Sequence, residues 1–151
     1  MSVELLRVIR IFFVFSISLI FVSCRFNSSY INREEDRQDG EQAIADFYEL
    51  LKNQDYKGTY GLFDKRFFEG TDTQKLNEIY YISYEKLGSV ERYNIEKWET
   101  EAIVGANPKT NYAFLLNVKR SNYVSLETVT LLKGKDGLKI VGYHVNSDGL
   151  F

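Results

Sequence analysis

The chain has 151 residues, room for one domain, with 44% hydrophobic, 26% charged and 15% aromatic side chains; ten glycines and one proline argue against disorder over most of its length. Its net charge of −2 leaves no basic footprint for nucleic acid, and its single cysteine excludes an internal disulfide framework.

The first ten residues include Arg7 and Arg10, and residues 11–22 then form an apolar run of a dozen. A bilayer-spanning helix needs about 20 apolar residues, so this run is short for a permanent span and suits the core of a signal peptide. It ends Leu19, Ile20, Phe21, Val22, Ser23, Cys24. Apolar residues, a small residue and then a cysteine resemble the lipobox of bacterial lipoproteins. The resemblance implies a signal peptide of residues 1–23, cleavage between Ser23 and Cys24, and acylation of the Cys24 thiol. The mature chain would then be lipid-anchored outside the cytoplasm. By the sorting of lipoproteins in two-membrane bacteria, Arg25 after the cysteine implies the outer membrane. The alternative is an uncleaved signal anchor with an incidental thiol. Cleavage removes Glu4, Arg7 and Arg10, lowering 21 acidic and 19 basic side chains to 20 and 17, net −3.

Residues 24–40 are polar and charged, with only Phe26, Tyr30 and Ile31 apolar after the cysteine. Such a stretch buries too little to order itself, and it reads as a flexible tether of root-mean-square span about 20–25 Å. The acidic run Glu34, Glu35, Asp36 reads as a solvated charge cluster. The folded domain is expected over residues 41–151.

Ile44, Phe47, Tyr48 and Leu51 fall on one helical face, with Asp39 as the expected N-cap and Gln42 three residues on. A second, short helix is expected after Asp55, carrying Tyr56, Tyr60 and Phe63. Phe67 and Phe68 then lead to a break at Gly70. The third helix should be capped by Thr71 or Thr73, bury Leu76, Ile79, Tyr80, Ser83 and Leu87, and end at Gly88. Tyr81, Ile82 and Tyr84 widen its apolar face, predicting a second neighbour. After Gly88 the period changes to two, giving strands over residues 90–104, 111–120, 123–132 and 138–146, the last two joined at Asp136 and Gly137. Short connections make neighbours antiparallel. The fold class is therefore α+β: three helices packed on a curved antiparallel four-stranded sheet.

This order resembles the nuclear transport factor 2-like (cystatin-like) cone. Glu127, Thr128, Val129, Thr130 and Leu131, then Asp136 and Gly137, then Ile140, Val141, Gly142 and Tyr143 resemble the carboxy-terminal hairpin of an uncharacterised bacterial family within that superfamily. The resemblance implies a curved sheet wrapped on a long helix with a pocket between them. It implies no particular activity, because such scaffolds carry enzymes, binders and assembly modules.

Candidate chemistry is sparse. His144 is the only histidine, and no spacing supplies it with a nucleophile or carboxylate partner. Glu127 shares a strand face with Val129 and Leu131. Lining an apolar pocket, it would hold its proton more tightly and could act as a general base or a cation ligand. The alternative pairs it with Arg120, Lys119 or a tyrosine hydroxyl. Tyr80, Tyr84, Trp98, Tyr112 and Tyr143 are candidates to line a cavity for a small amphipathic ligand, against a plain role in the core. No metal site or cofactor is expected. The leading functional expectation is a non-catalytic envelope domain binding a partner protein or small apolar ligand. The alternatives are a pocket enzyme moving protons with Glu127 or His144, and a structural lipoprotein that self-associates as a homodimer.

Overall fold

The computed structural model describes residues 28–151; the expected signal peptide and Cys24 lie outside the described residues. In chain order come β1 (Ser28–Ile31), α1 (Glu34–Lys52), α2 (Tyr56–Thr59), a 3-10 turn (Tyr60–Leu62), α3 (Phe67–Gly70) and α4 (Thr73–Leu87). Then follow β2 (Val90–Val104), β3 (Lys109–Arg120), β4 (Val124–Gly134), β5 (Gly137–Asn146) and a closing 3-10 turn (Asp148–Leu150). The class is α+β. The strands form one open antiparallel sheet in the order β1-β2-β3-β4-β5, five strands where four were expected.

The extra strand and an early helix replace most of the expected tether. Ser28 pairs with Val104 and Ile31 with Glu101, so β1 lies along the edge of β2. Helix α1 begins at Glu34, not after Asp39, and its N-cap residue is Arg33. The acidic run that suggested a solvated segment is its first turn, where negative charge complements the helix dipole. Arg33 binds Asp36 through two hydrogen bonds of 2.6 and 2.9 Å, and Arg37 binds Glu41 at 2.7 Å. These local pairs let a polar stretch be helical, and Asp36 is buried against a partly exposed Arg33.

Gly40, taken from the sequence as the end of the tether, is an interior contact of α1. A Cβ there would come within 2.6 Å of the Phe114 ring and 2.9 Å of the Tyr112 ring. The helix backbone therefore lies directly on the sheet at this point. From Gly40 onward the expected stripe is buried: Ile44, Phe47, Tyr48 and Leu51.

Asp55 caps α2 by accepting from the Gly58 amide at 2.9 Å. The aromatic stretch after it is not a plain break. Phe67 and Phe68 stand in the short helix α3, and Phe63, Phe67 and Phe68 form a ring cluster with centroids 4.5–6.0 Å apart. Phe63 bridges to Ile140, and the Asp64 amide donates to the Ile140 carbonyl at 2.8 Å, fastening this connector to β5. Asp72, not Thr71 or Thr73, caps α4 by accepting from the Lys75 amide. Gly88 ends α4 at φ 89°, a backbone angle that favours glycine. Of the expected stripe, Leu76, Tyr80, Ser83 and Leu87 are buried, whereas Ile79 is only partly buried at its margin. Tyr81, Ile82 and Tyr84 are 64%, 47% and 38% exposed, so among the described residues no second neighbour covers them.

One sheet face carries the core. Tyr112, Phe114, Leu116 and Val118 of β3 alternate inward beside Val129 and Leu131 of β4 and Ile140 and Tyr143 of β5. Bulges in β2 between Val90 and Arg92 and between Ile95 and Lys97, and one in β5 at Val141 opposite Thr130 and Leu131, break the register. Each locally bends its strand and increases its twist.

Replacing Gly40 with alanine adds helix propensity worth about 1 kcal/mol. It also drives a methyl group into two packed rings, and overpacking of this kind typically costs about 1–3 kcal/mol. Gly40→Ala is expected to lower the urea midpoint. Gly61→Ala, where a Cβ meets nothing within 4 Å, is expected to leave it unchanged or raise it. Equal midpoints for the two variants would show that α1 does not rest on the Phe114 ring.

Candidate functional site

Alternation along β4 turns Ser125, Glu127, Val129 and Leu131 toward the helices. Glu127 thereby enters the core, and its exposure is 0%. Burying a carboxylate costs several kcal/mol unless its charge and lone pairs are met. Here both oxygens are occupied. Oε1 accepts from Arg120 Nη2 at 2.8 Å, Arg120 Nε at 3.1 Å and Ser125 Oγ at 2.6 Å. Oε2 accepts from Tyr48 Oη at 2.8 Å and Tyr143 Oη at 2.7 Å.

Each donor comes from a different local pattern. Tyr48 belongs to the buried stripe of α1. Tyr143 faces inward from β5 directly across from Val129. Ser125 is two residues before Glu127 on the same strand face. Arg120 closes β3 at its junction with the turn to β4, and its Nη1 also donates to the Gly88 carbonyl at 3.4 Å. Burial is the largest single influence on the Arg120 guanidinium and lowers its proton affinity, but the charge and hydrogen bond of Glu127 together with Tyr143 and Tyr48 outweigh it, so the net direction is upward. Burial first, and the adjacent Glu127 charge second, push the Tyr48 and Tyr143 phenols well above their ordinary range. Both stay protonated donors. The cluster is one acceptor surrounded by donors, a geometry that fixes a charge in place and leaves Glu127 no free lone pair with which to take a substrate proton.

Of the other expected residues, Tyr143 alone converges with it. His144 points to the opposite sheet face, paired with Thr128 and exposed, so the sheet separates it from Glu127. Among the described residues the five aromatic candidates stand in four different places. Tyr80 stacks on Tyr56 with centroids 5.0 Å apart, and its hydroxyl meets Thr59 Oγ1 at 2.9 Å. Trp98 lies half-buried under the Arg37 guanidinium, 5.2 Å from its ring centre. Tyr112 is buried beneath Gly40, its hydroxyl without a hydrogen-bond partner among the described residues. Tyr143 belongs to the Glu127 cluster, and Tyr84 stands at the lip of a crevice with Tyr56, Tyr80, Ser83, Ser89 and Arg120. That crevice has a volume of about 10 Å³, room for one water-sized molecule and no organic ligand. Among the described residues no group of three or more His, Cys, Asp or Glu is placed to hold a metal ion.

Tyr48 and Ser125 are the cluster members that sequence reasoning did not single out. The available signal was parity: a serine two residues before an inward carboxylate, and a tyrosine on the most apolar helical face. No family model, curated protein or solved structure matches the chain.

Two outcomes follow from the cluster. Glu127→Leu leaves the Arg120 charge buried without its counterion and is expected to cost about 3–5 kcal/mol. The double variant Arg120→Met, Glu127→Leu should recover most of that loss in urea unfolding; additive losses would mean the two side chains do not interact. Alkaline pH supplies the other. Tyr48 and Tyr143 ionise near pH 10 in the unfolded chain and well above it when folded. Their contribution is therefore complete below pH 10 and is lost as pH rises beyond it. Unfolding midpoints at pH 8, 10 and 11 should fall over the last interval, and less steeply in Tyr143→Phe.

Proposed function

We propose that the chain is a cell-envelope lipoprotein, acylated at Cys24 after cleavage behind Ser23, whose domain is a non-catalytic binding module of the nuclear transport factor 2-like kind. It is extracytoplasmic and lipid-anchored, and Arg25 directs it to the outer membrane where a cell has two. The anchoring half rests on the apolar run and the Leu19-to-Cys24 pattern. Among the described residues no helix is long and apolar enough to cross a membrane. The cone reading is supported by the order of helices before sheet, by α1 lying on the inner sheet face, and by the bulges that bend β2 and β5.

The observation that carries the binding reading is the contrast between interior and surface. Inside, Glu127 is saturated by five hydrogen bonds, and the aromatic side chains pack against one another. Outside, α4 presents Tyr81 and Ile82 beside Gln74, Asn77 and Glu78 around an open groove of about 530 Å³. Exposed aromatic and branched side chains rimmed by polar ones are the usual composition of a protein-contact surface. A partner protein fits this reading better than a small apolar ligand, which would need an interior cavity.

Metabolic labelling with a clickable fatty acid tests the anchor. The wild-type protein should carry label and sediment with membranes, and Cys24→Ala should lose both; an unlabelled wild type, or label persisting in Cys24→Ala, would overturn it. For the binding half, a photo-crosslinker at Tyr81 should give one discrete adduct in cells that disappears with Ile82→Ser. A crosslinker at His144 should give none, and the reverse pattern would sink the α4 surface.

A further inference from the structure

Where the chain enters the fold determines which end of the domain can face a membrane. Ser28 pairs with Val104, the last residue of β2, so the first described residue stands at the β2–β3 turn. The β4–β5 turn is at the same end, because Thr110 pairs with Lys133 and Gly134 with Gly137. The first turn of α1 joins them. Arg33 and Asp36 line a shallow groove of about 330 Å³ with Val104, Pro108, Lys109, Lys133 and Lys135, among others. The remaining lengths of β2 to β5 run away from this end.

The spacing from the acylation site is short. Four residue steps separate Cys24 from Ser28, and an extended chain covers at most about 14 Å in that distance. The headgroup layer on each side of a bilayer takes roughly 5–8 Å of it. Ser28 is thus held within about 10 Å of the lipid surface, the diameter of one helix with its side chains. A 16-residue flexible tether would let the domain range over about 20–25 Å, farther than these four residue steps reach.

The chemistry of the end fits a lipid surface. Val104 is 46% exposed, next to exposed Ala106 and Pro108. The acids Asp36 and Asp39 are engaged by Arg33 and Lys133. Among the described residues Lys109 and Lys135 form no ion pair, and Asp136 is the acid left in the two turns. Arg25 adds a charge between anchor and domain. The positive charge is local to the two turns, where Lys109, Lys133 and Lys135 stand, while the first turn of α1 beside them carries Glu34, Glu35 and Asp36.

We infer that the end formed by the β2–β3 and β4–β5 turns is a membrane-contacting face. It rests on the headgroups of the bilayer that holds the Cys24 acyl chains, with Lys109 and Lys135 at lipid phosphates and Val104 and Pro108 at the acyl boundary. The inference depends on the proposed acylation of Cys24, and its consequence is a fixed orientation, with the crevice at Arg120 and the Ser121–Asn122 turn facing away from the lipid.

Because Cys24 is the only cysteine, one introduced into the acylated protein is unique. Val104→Cys, Lys135→Cys and, at the far end, Asn122→Cys are each labelled with a fluorophore. The full acylated protein is then placed in vesicles of phosphatidylethanolamine and phosphatidylglycerol carrying nitroxide headgroups. Mass spectrometry first establishes the acyl groups on Cys24; their absence would defeat the anchoring proposal itself. With acylation present, quenching at 104 and 135 should exceed that at 122 several-fold, and Lys109→Gln should reduce the excess. Equal quenching at all three sites overturns the contact face while leaving the anchor intact. If positions 104 and 135 are quenched in vesicles but protected from it in native membranes, the face is occupied by protein rather than lipid, and the inference fails.

Discussion

A single negative charge, placed in the interior by strand parity, constrains the fold around it. Glu127 can remain buried only while Arg120 supplies a counterion and Tyr48, Tyr143 and Ser125 supply hydrogen bonds. Those residues come from α1, β3, β4 and β5. The helix cannot slide along the sheet, and β5 cannot shift against β4, without stripping a donor from a charge in a medium that solvates it poorly.

Such an arrangement contributes less to net stability than its number of bonds suggests. The attraction between Arg120 and Glu127 largely offsets the desolvation of both, so an apolar replacement of the pair would fold comparably well. What the cluster adds is discrimination among arrangements. A one-residue slip of β4 would turn the carboxylate to the outer face and bring Leu126 or Thr128 inward. Arg120 would then be left alone inside. Hydrophobic packing of Phe47, Phe114 and Leu131 tolerates small displacements, whereas an ion pair with five hydrogen bonds does not.

The sequence made the antiparallel part of the fold legible because alternation and turns acted together. Strands β2 to β5 begin and end within two residues of the period-two segments, and Gly88 marks the change from helix to strand. The stripe of Ile44, Phe47, Tyr48 and Leu51 was equally readable. What escaped was the segment before it. Residues 28–40 look solvated because their stability comes from pairs three and four residues apart, from edge pairing with β2, and from a glycine that fits under two rings. None of these produces apolar periodicity. Four residues of β1 are too few to show alternation, and Gly40 suggested a break where close approach was the reason for it. For the site, Glu127 stood out as an acid at an inward position, and Arg120 and a tyrosine hydroxyl were among its foreseeable partners. That two tyrosines from distant elements would meet one oxygen depends on how α1 crosses the sheet, a fact of tertiary geometry that spacing does not encode.

The entry of the chain as an edge strand has a mechanical consequence. A load applied at the amino terminus and directed out of the hairpin end pulls β1 lengthwise along β2, so the backbone bonds of the Ser28-to-Ile31 ladder resist together instead of opening in succession. The Asn32 amide bound to the Thr100 carbonyl and the Asn32 side chain accepting from the Thr100 amide lie directly behind them. Tension arriving at the first strand is therefore taken up in shear at the sheet edge, before it reaches α1 or the buried charge.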